Sequence, residues 1–102
     1  MTMLDKADGQ IFNGSVRLVH AVGMHARPAV KLTKLAKRFQ AHISVRVAGA
    51  PDWINAKSVA KIMAMRAAHG STIEIKASGS DAEAAVEALV NLIATDFPDE
   101  AS

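Results

Sequence analysis

Three stretches of the chain alternate apolar and polar residues, and three others repeat apolar residues every three to four positions. Alternation marks a half-buried strand, and the longer period marks a helix buried along one stripe. Ser15 to Val19 alternates in part and predicts a first strand. A helix is predicted from Ala26 to about Phe39, with Val30, Leu32, Leu35, Ala36 and Phe39 apolar and Lys31, Lys34, Lys37 and Arg38 between them. Residues 42–47 alternate cleanly, with Ile43, Val45 and Val47 on one face and His42, Ser44 and Arg46 on the other. Gly49-Ala50-Pro51-Asp52 has turn chemistry, and a short strand is expected around Trp53-Ile54. Ser58 can cap a helix running to about Ala68, with Ile62 and Met65 inward and Gly70 as its stop. Thr72 to Ala77 alternates again. Ser80 and Glu83 match a capping box, and Val86, Leu89, Val90 and Ile93 give the last helix its stripe until Phe97-Pro98 ends it.

The resulting order is β-α-β-β-α-β-α, and every strand keeps one polar face. That favours an α+β fold, an antiparallel sheet covered by helices on one side. The length of 102 residues fits one domain with a modest core. Residues 1–11 are expected to form a flexible extension and 98–102 an acidic tail. With no cysteine there is neither a disulfide framework nor a cysteine metal site, in keeping with a reducing compartment. No apolar run has the length of a signal peptide or a membrane span, so a cytoplasmic chain without membrane insertion is expected.

Net charge is only +2, but it is unevenly placed. Between positions 17 and 66, Arg17, Arg27, Lys31, Lys34, Lys37, Arg38, Arg46, Lys57, Lys61 and Arg66 face one acid, Asp52. Such a segment suits an acidic partner, a phosphate or a nucleic acid, although a single exposed lysine commonly does no more than solvate a helix. A base-stacking surface needs aromatic residues, and the chain has Phe12, Phe39, Trp53 and Phe97 only. Nucleic-acid binding is therefore not expected.

Pro28 is tolerated only in a helix's first turn, where backbone N–H groups have no intrahelical partner. His25 is thus placed at the N-cap or beside it. Unpaired N–H groups and the positive end of the helix dipole then surround a nucleophilic ring nitrogen, an arrangement suited to an anion. A phosphoryl group on His25 would be held by the Ala26 and Arg27 amides and paired by the Arg27 guanidinium. A lone histidine at a helix start is more often a structural residue, so the surrounding string has to carry the argument.

Gly23-Met24-His25-Ala26-Arg27-Pro28-Ala29 resembles the active-site motif of the histidine-containing phosphocarrier (HPr) family of the bacterial phosphotransferase system. Asn55-Ala56-Lys57-Ser58 resembles that family's regulatory-serine segment, and Gly70 and Ala77-Ser78-Gly79-Ser80-Asp81-Ala82 stand where it has later turns. The resemblance runs from about Val16 to Phe97. It implies an open-faced sandwich of four strands and three helices over residues 12–97. It also implies phosphorylation of His25 on the ring nitrogen nearer the backbone, with Arg27 as phosphate partner. The expected function is a phosphocarrier, not a stand-alone catalyst. It would accept phosphate from phosphoenolpyruvate-charged enzyme I and pass it to an enzyme IIA domain, as a monomer without cofactor or metal. The rival is a regulatory module that uses the same surface without carrying phosphate.

By the same resemblance Ser58 is the target of a dedicated kinase, although a helix cap alone accounts for a serine there. Val30, Lys34, Val59, Lys61 and Met63 are assigned to partner docking, on a surface joining the two helix starts. Val59 and Met63 are four apart on one helical face, with ordinary core packing as the alternative. Of the other histidines, His20 can lie near His25, His69 reads as a helix C-terminal residue, and His20, His42 and His69 form no zinc pattern. Trp53 is expected to pack. Val22 stands where some members carry an asparagine at the phosphate site, and Met24 replaces the commoner leucine. The Met24–Ala29 wording and the acidic tail resemble the nitrogen-related branch, whereas Ala56-Lys57-Ser58 resembles the kinase-regulated sugar branch.

Overall fold

The computed structural model describes residues 10–98. Four strands form one sheet: β1 (Ile11–Arg17), β2 (His42–Val47), β3 (Ile54–Asn55) and β4 (Thr72–Ser78). Their spatial order is β1-β4-β2-β3, and every neighbouring pair is antiparallel. Three helices, α1 (Ala26–Ala36), α2 (Val59–Ala64) and α3 (Ala82–Ala94), complete the βαββαβα order. Opposite β4, Ile43 pairs with Ala77, Val45 with Ile75 and Val47 with Ile73, which lines the inward residues of both strands on one face. The core lies between that face and the helices, with Leu32, Ile62, Leu89 and Ile93 fully buried against Ile43, Val45, Ile73 and Ile75. Complete burial of a leucine or isoleucine is worth about 1.5–3 kcal/mol, enough for these few anchors to fix each helix to the sheet. α3 also lies close over β1: a Cβ on Gly14 would meet Val86 Cγ1 at 2.8 Å.

Several boundaries differ from the sequence expectation. The first strand spans residues 11–17, not 15–19, so Ile11 belongs to the sheet, and residues 1–9 of the expected extension lie outside the described residues. Residues 99–102 of the expected tail lie outside them as well. α1 ends at Ala36, and residues 37–39 continue as tight turns, with Arg38 N–H donating to Leu35 and Phe39 N–H to Ala36. α2 stops at Ala64, not Ala68, because Arg66 takes a left-handed φ of 50°. His69 therefore lies in a turn beyond the helix, not at its C-terminus. The short strand is Ile54–Asn55 instead of Trp53-Ile54. The Ser80–Glu83 capping box does not form: the N-cap of α3 is Asp81, and its side chain makes no cap bond. The Asp81 carboxylate instead accepts from the Gln40 amide (2.9 Å) and the Ala41 amide (2.8 Å), tying the entry of α3 to the loop before β2.

Among the described residues no helix covers the opposite face of the sheet. Trp53 lies there between the Arg46 guanidinium, 4.5 Å from its ring centre, and the Lys76 ammonium, at 4.4 Å. Arg46 Nε also donates to Glu74 Oε1 at 2.6 Å. Trp53 thus packs, as expected, held by cation–π contacts. Among the described residues no helix is long and apolar enough to cross a membrane.

Candidate functional site

The loop from Leu18 to His25 is held at both ends by backbone. Leu18 N–H donates to the Ser71 carbonyl at 2.8 Å, and Gly70 N–H returns a bond to the Leu18 carbonyl at 2.8 Å. Nearer the site, Met24 N–H donates to the Ala67 carbonyl at 2.9 Å, and the Met24 side chain is buried. Gly23 has a φ of 77°, and a Cβ there would lie 2.5 Å from the Ala67 oxygen. Glycine is therefore required on both conformational and steric grounds. Met24 and Gly23 together pin the loop so that the next residue starts a helix at a fixed place.

That residue is His25, the N-cap of α1, as expected. Its backbone is extended, its side chain makes no cap hydrogen bond, and it is exposed. Intrahelical bonding begins with Ala29 N–H donating to the His25 carbonyl at 3.0 Å, so the Ala26 and Arg27 amides have no intrahelical acceptor. Pro28 and Ala29 are buried beneath them, whereas Arg27 is exposed. Exposed imidazole, two amides without intrahelical acceptors and an exposed arginine thus share one helix start.

His20 does come to His25: their Nε2 atoms are 3.2 Å apart and their ring centres 5.2 Å, with the rings tilted by 34°. Asp96 completes the row, its Oδ1 2.8 Å from His20 Nδ1. The sequence reading assigned no role to Asp96. It reaches the site because Asp96 and Phe97 both take positive φ (63° and 51°), turning the chain back after α3. The buried Phe97 meets the His20 ring edge-on at 6.0 Å, and its carbonyl accepts from Lys31 Nζ at 2.8 Å.

Ser58 is the N-cap of α2, and its Oγ accepts from Lys61 N–H at 3.2 Å. Thr33 Oγ1 donates to the Ala56 carbonyl at 3.3 Å, which sets the approach to α2 against the middle of α1. It is the exit of α2, through Ala67, that bonds the His25 loop. Val30, Lys34, Lys61 and Met63 are exposed, while Val59 is half-buried against the core. Val22 is exposed, and His42 and His69 stand apart from the His25 contacts. A concavity of about 450 Å³ lies on the far sheet face between Asn13, Ser15, Trp53 and Glu74. At the His25 site, His25, Ala26 and Arg27 are all exposed.

A family profile described as the PTS HPr component phosphorylation site matches residues 13–95. The chain is 39% identical over 74 residues to the multiphosphoryl transfer protein of Vibrio cholerae, covering 72% of this chain but 18% of that one. It is 34% identical over 85 residues to the phosphocarrier protein NPr of Proteus mirabilis, 83% of this chain and 93% of the relative. The crystal structure of HPr-C-His from Thermoanaerobacter tengcongensis superposes with a TM-score of 0.79 at 32% identity, over 88% of this chain and 99% of that chain. NPr and HPr thus match almost equally, and identity favours neither branch. A helix-start histidine on an open-faced βαββαβα sandwich, a profile spanning most of the chain and near full-length relatives agree: the chain belongs to the HPr family of phosphocarrier proteins of the phosphotransferase system.

Proposed function

We propose that His25 carries the phosphoryl group, taking it from phosphoenolpyruvate-charged enzyme I and giving it to an enzyme IIA domain. The observation that carries this reading is the placement of an exposed His25 imidazole at the N-cap of α1, beside two amides without intrahelical acceptors. Neutral imidazole is a competent nucleophile and, once phosphorylated, a good leaving group. The Ala26 and Arg27 amides and the Arg27 guanidinium hold the phosphoryl oxygens. Residues 12–97 form the working unit, and the setting is cytoplasmic. Val30, Lys34, Lys61 and Met63 form the exposed part of the docking surface, a mixture of apolar and cationic groups that fits an acidic partner. Ser58 is a site of regulatory phosphorylation by an HPr kinase/phosphorylase, adding negative charge to that surface.

Incubation with phosphoenolpyruvate and enzyme I, followed by intact-mass measurement, tests the assignment. One acid-labile, base-stable phosphoryl adduct is expected, absent from a folded His25→Ala variant. Enzyme I-dependent labelling that persists in that variant would refute the assignment. Enzyme I binding with no adduct on the unaltered chain would identify a binding module instead.

A further inference from the structure

The row Asp96–His20–His25 bears on which nitrogen of His25 reacts, granted that His25 is the carrier. A carboxylate only accepts hydrogen bonds, so His20 Nδ1 must be the donor across the 2.8 Å contact with Asp96 Oδ1. In a neutral imidazole the other nitrogen is then an acceptor. His20 Nε2 therefore presents a lone pair to His25 Nε2, 3.2 Å away. The bond forms only if His25 carries its proton on Nε2. We infer that Asp96 and His20 act as a positioning relay, holding neutral His25 as the Nε2–H tautomer and keeping the lone pair of Nδ1 free for phosphorus.

The surroundings fix the relay in place. His20 is wedged edge-on against the buried Phe97 ring, and Lys31 clamps the Phe97 carbonyl. Asp96, next along the chain, is thereby presented to His20 by two consecutive left-handed residues. Such backbone is uncommon outside glycine and persists where surrounding contacts enforce it. Among the described residues no three histidine or acidic side chains are grouped so as to hold a metal ion. The row serves as a chain of hydrogen bonds.

Transfer then balances as follows. The Nδ1 lone pair forms the new N–P bond while the donor's bond to phosphorus breaks, its electron pair remaining on the donor atom. The His25 ring gains positive charge and keeps its Nε2 proton, which His20 accepts as a hydrogen bond. The Asp96 carboxylate at the far end offsets that charge. In the onward step the same proton keeps the ring cationic until the N–P bond breaks, which makes it the better leaving group.

Histidine-selective 15N labelling tests the relay on the unphosphorylated protein at neutral pH. Two-bond nitrogen–proton correlations report the tautomer of each ring, and enzyme I supplies the transfer rate. The unaltered chain should show His25 as the Nε2–H form alone. His20→Leu and Asp96→Gly should each show a mixture and accept phosphate about three- to tenfold more slowly, the loss of one hydrogen bond's net worth. Glycine suits the φ of 63° at position 96, so the second variant removes the carboxylate without straining the turn. His20→Gln, whose Oε1 replaces the Nε2 lone pair, should restore both tautomer and rate. Nδ1–H on His25 of the unaltered chain would overturn the relay. So would an unchanged tautomer and rate in both folded variants, or a folded His20→Gln as slow as His20→Leu. If the unaltered chain took no phosphate on His25, the carrier assignment would fall instead, and the tautomer measurement would still decide the relay.

Discussion

Arg27 is the second residue of α1 and is exposed, so its guanidinium is free of packing duties and close in sequence to His25. Arg27→Ala should leave circular dichroism nearly unchanged and slow phosphoryl transfer. A charge-assisted contact is worth roughly 1.5–3 kcal/mol, equivalent to about ten- to a hundredfold. Rates equal to those of the unaltered chain would reduce Arg27 to a solvated helix residue. His25 was legible in the sequence because its message is local: a proline three residues on fixes the helix start, and the start fixes the amides. Asp96 was not. It bonds His20 across 76 positions, through a turn of two non-glycine residues that no residue preference announces.

Among the elements, the helices and the two inner strands were legible from periodicity, and the misplaced edges have physical causes. β1 starts at Ile11 and carries Gly14 inside it, where α3 packs so closely that a Cβ would meet Val86 Cγ1 at 2.8 Å, a long-range reason that alternation from Ser15 does not reveal. Periodicity carries α2 on to Ala68, whereas the left-handed Arg66 ends it after six residues and frees the Ala67 carbonyl for Met24. The cap at Ser58 was legible because it needs only its own next three residues. Ser58→Ala should cost about 0.5–2 kcal/mol in thermal or denaturant unfolding, while Ser58→Asp should largely keep the cap. Phosphate acceptance should rank the other way, kept by alanine and reduced by aspartate. Equal transfer rates would leave Ser58 as a cap alone. The false capping box at Ser80 hid a longer-range role for Asp81. The hydrogen bond from the Gln40 amide holds its carboxyl below the ordinary aspartate range; burial opposes it, and the Ala41 amide adds a smaller pull in the same direction as Gln40. A folded value below the unfolded one contributes stability that is full above the unfolded value and is lost as pH falls through the folded one. The stability gap between the unaltered chain and Asp81→Asn, followed by melting from about pH 6 to about pH 2, should therefore close in acid. A gap constant over that range would show that the carboxylate charge contributes nothing.

Across the whole molecule, the two sides of the sheet have been put to different uses. The helix-covered side holds the core, and the start of α1 and the end of α3 converge at its edge to make the His25 site. The other side carries the cation-flanked Trp53, the single tryptophan of the chain. Fluorescence excited through that indole therefore reports on the face of the sheet away from the core and is blind to the chemistry. Phosphorylation of His25, or enzyme I variants without tryptophan docking beside it, should leave the emission maximum unmoved. Unfolding, which releases Arg46 and Lys76 from the ring, should shift it. A shift on phosphorylation would mean that the two sides communicate through the sheet. Without one, the protein carries its own optical control: a folding signal that can be read during phosphotransfer without interference from it.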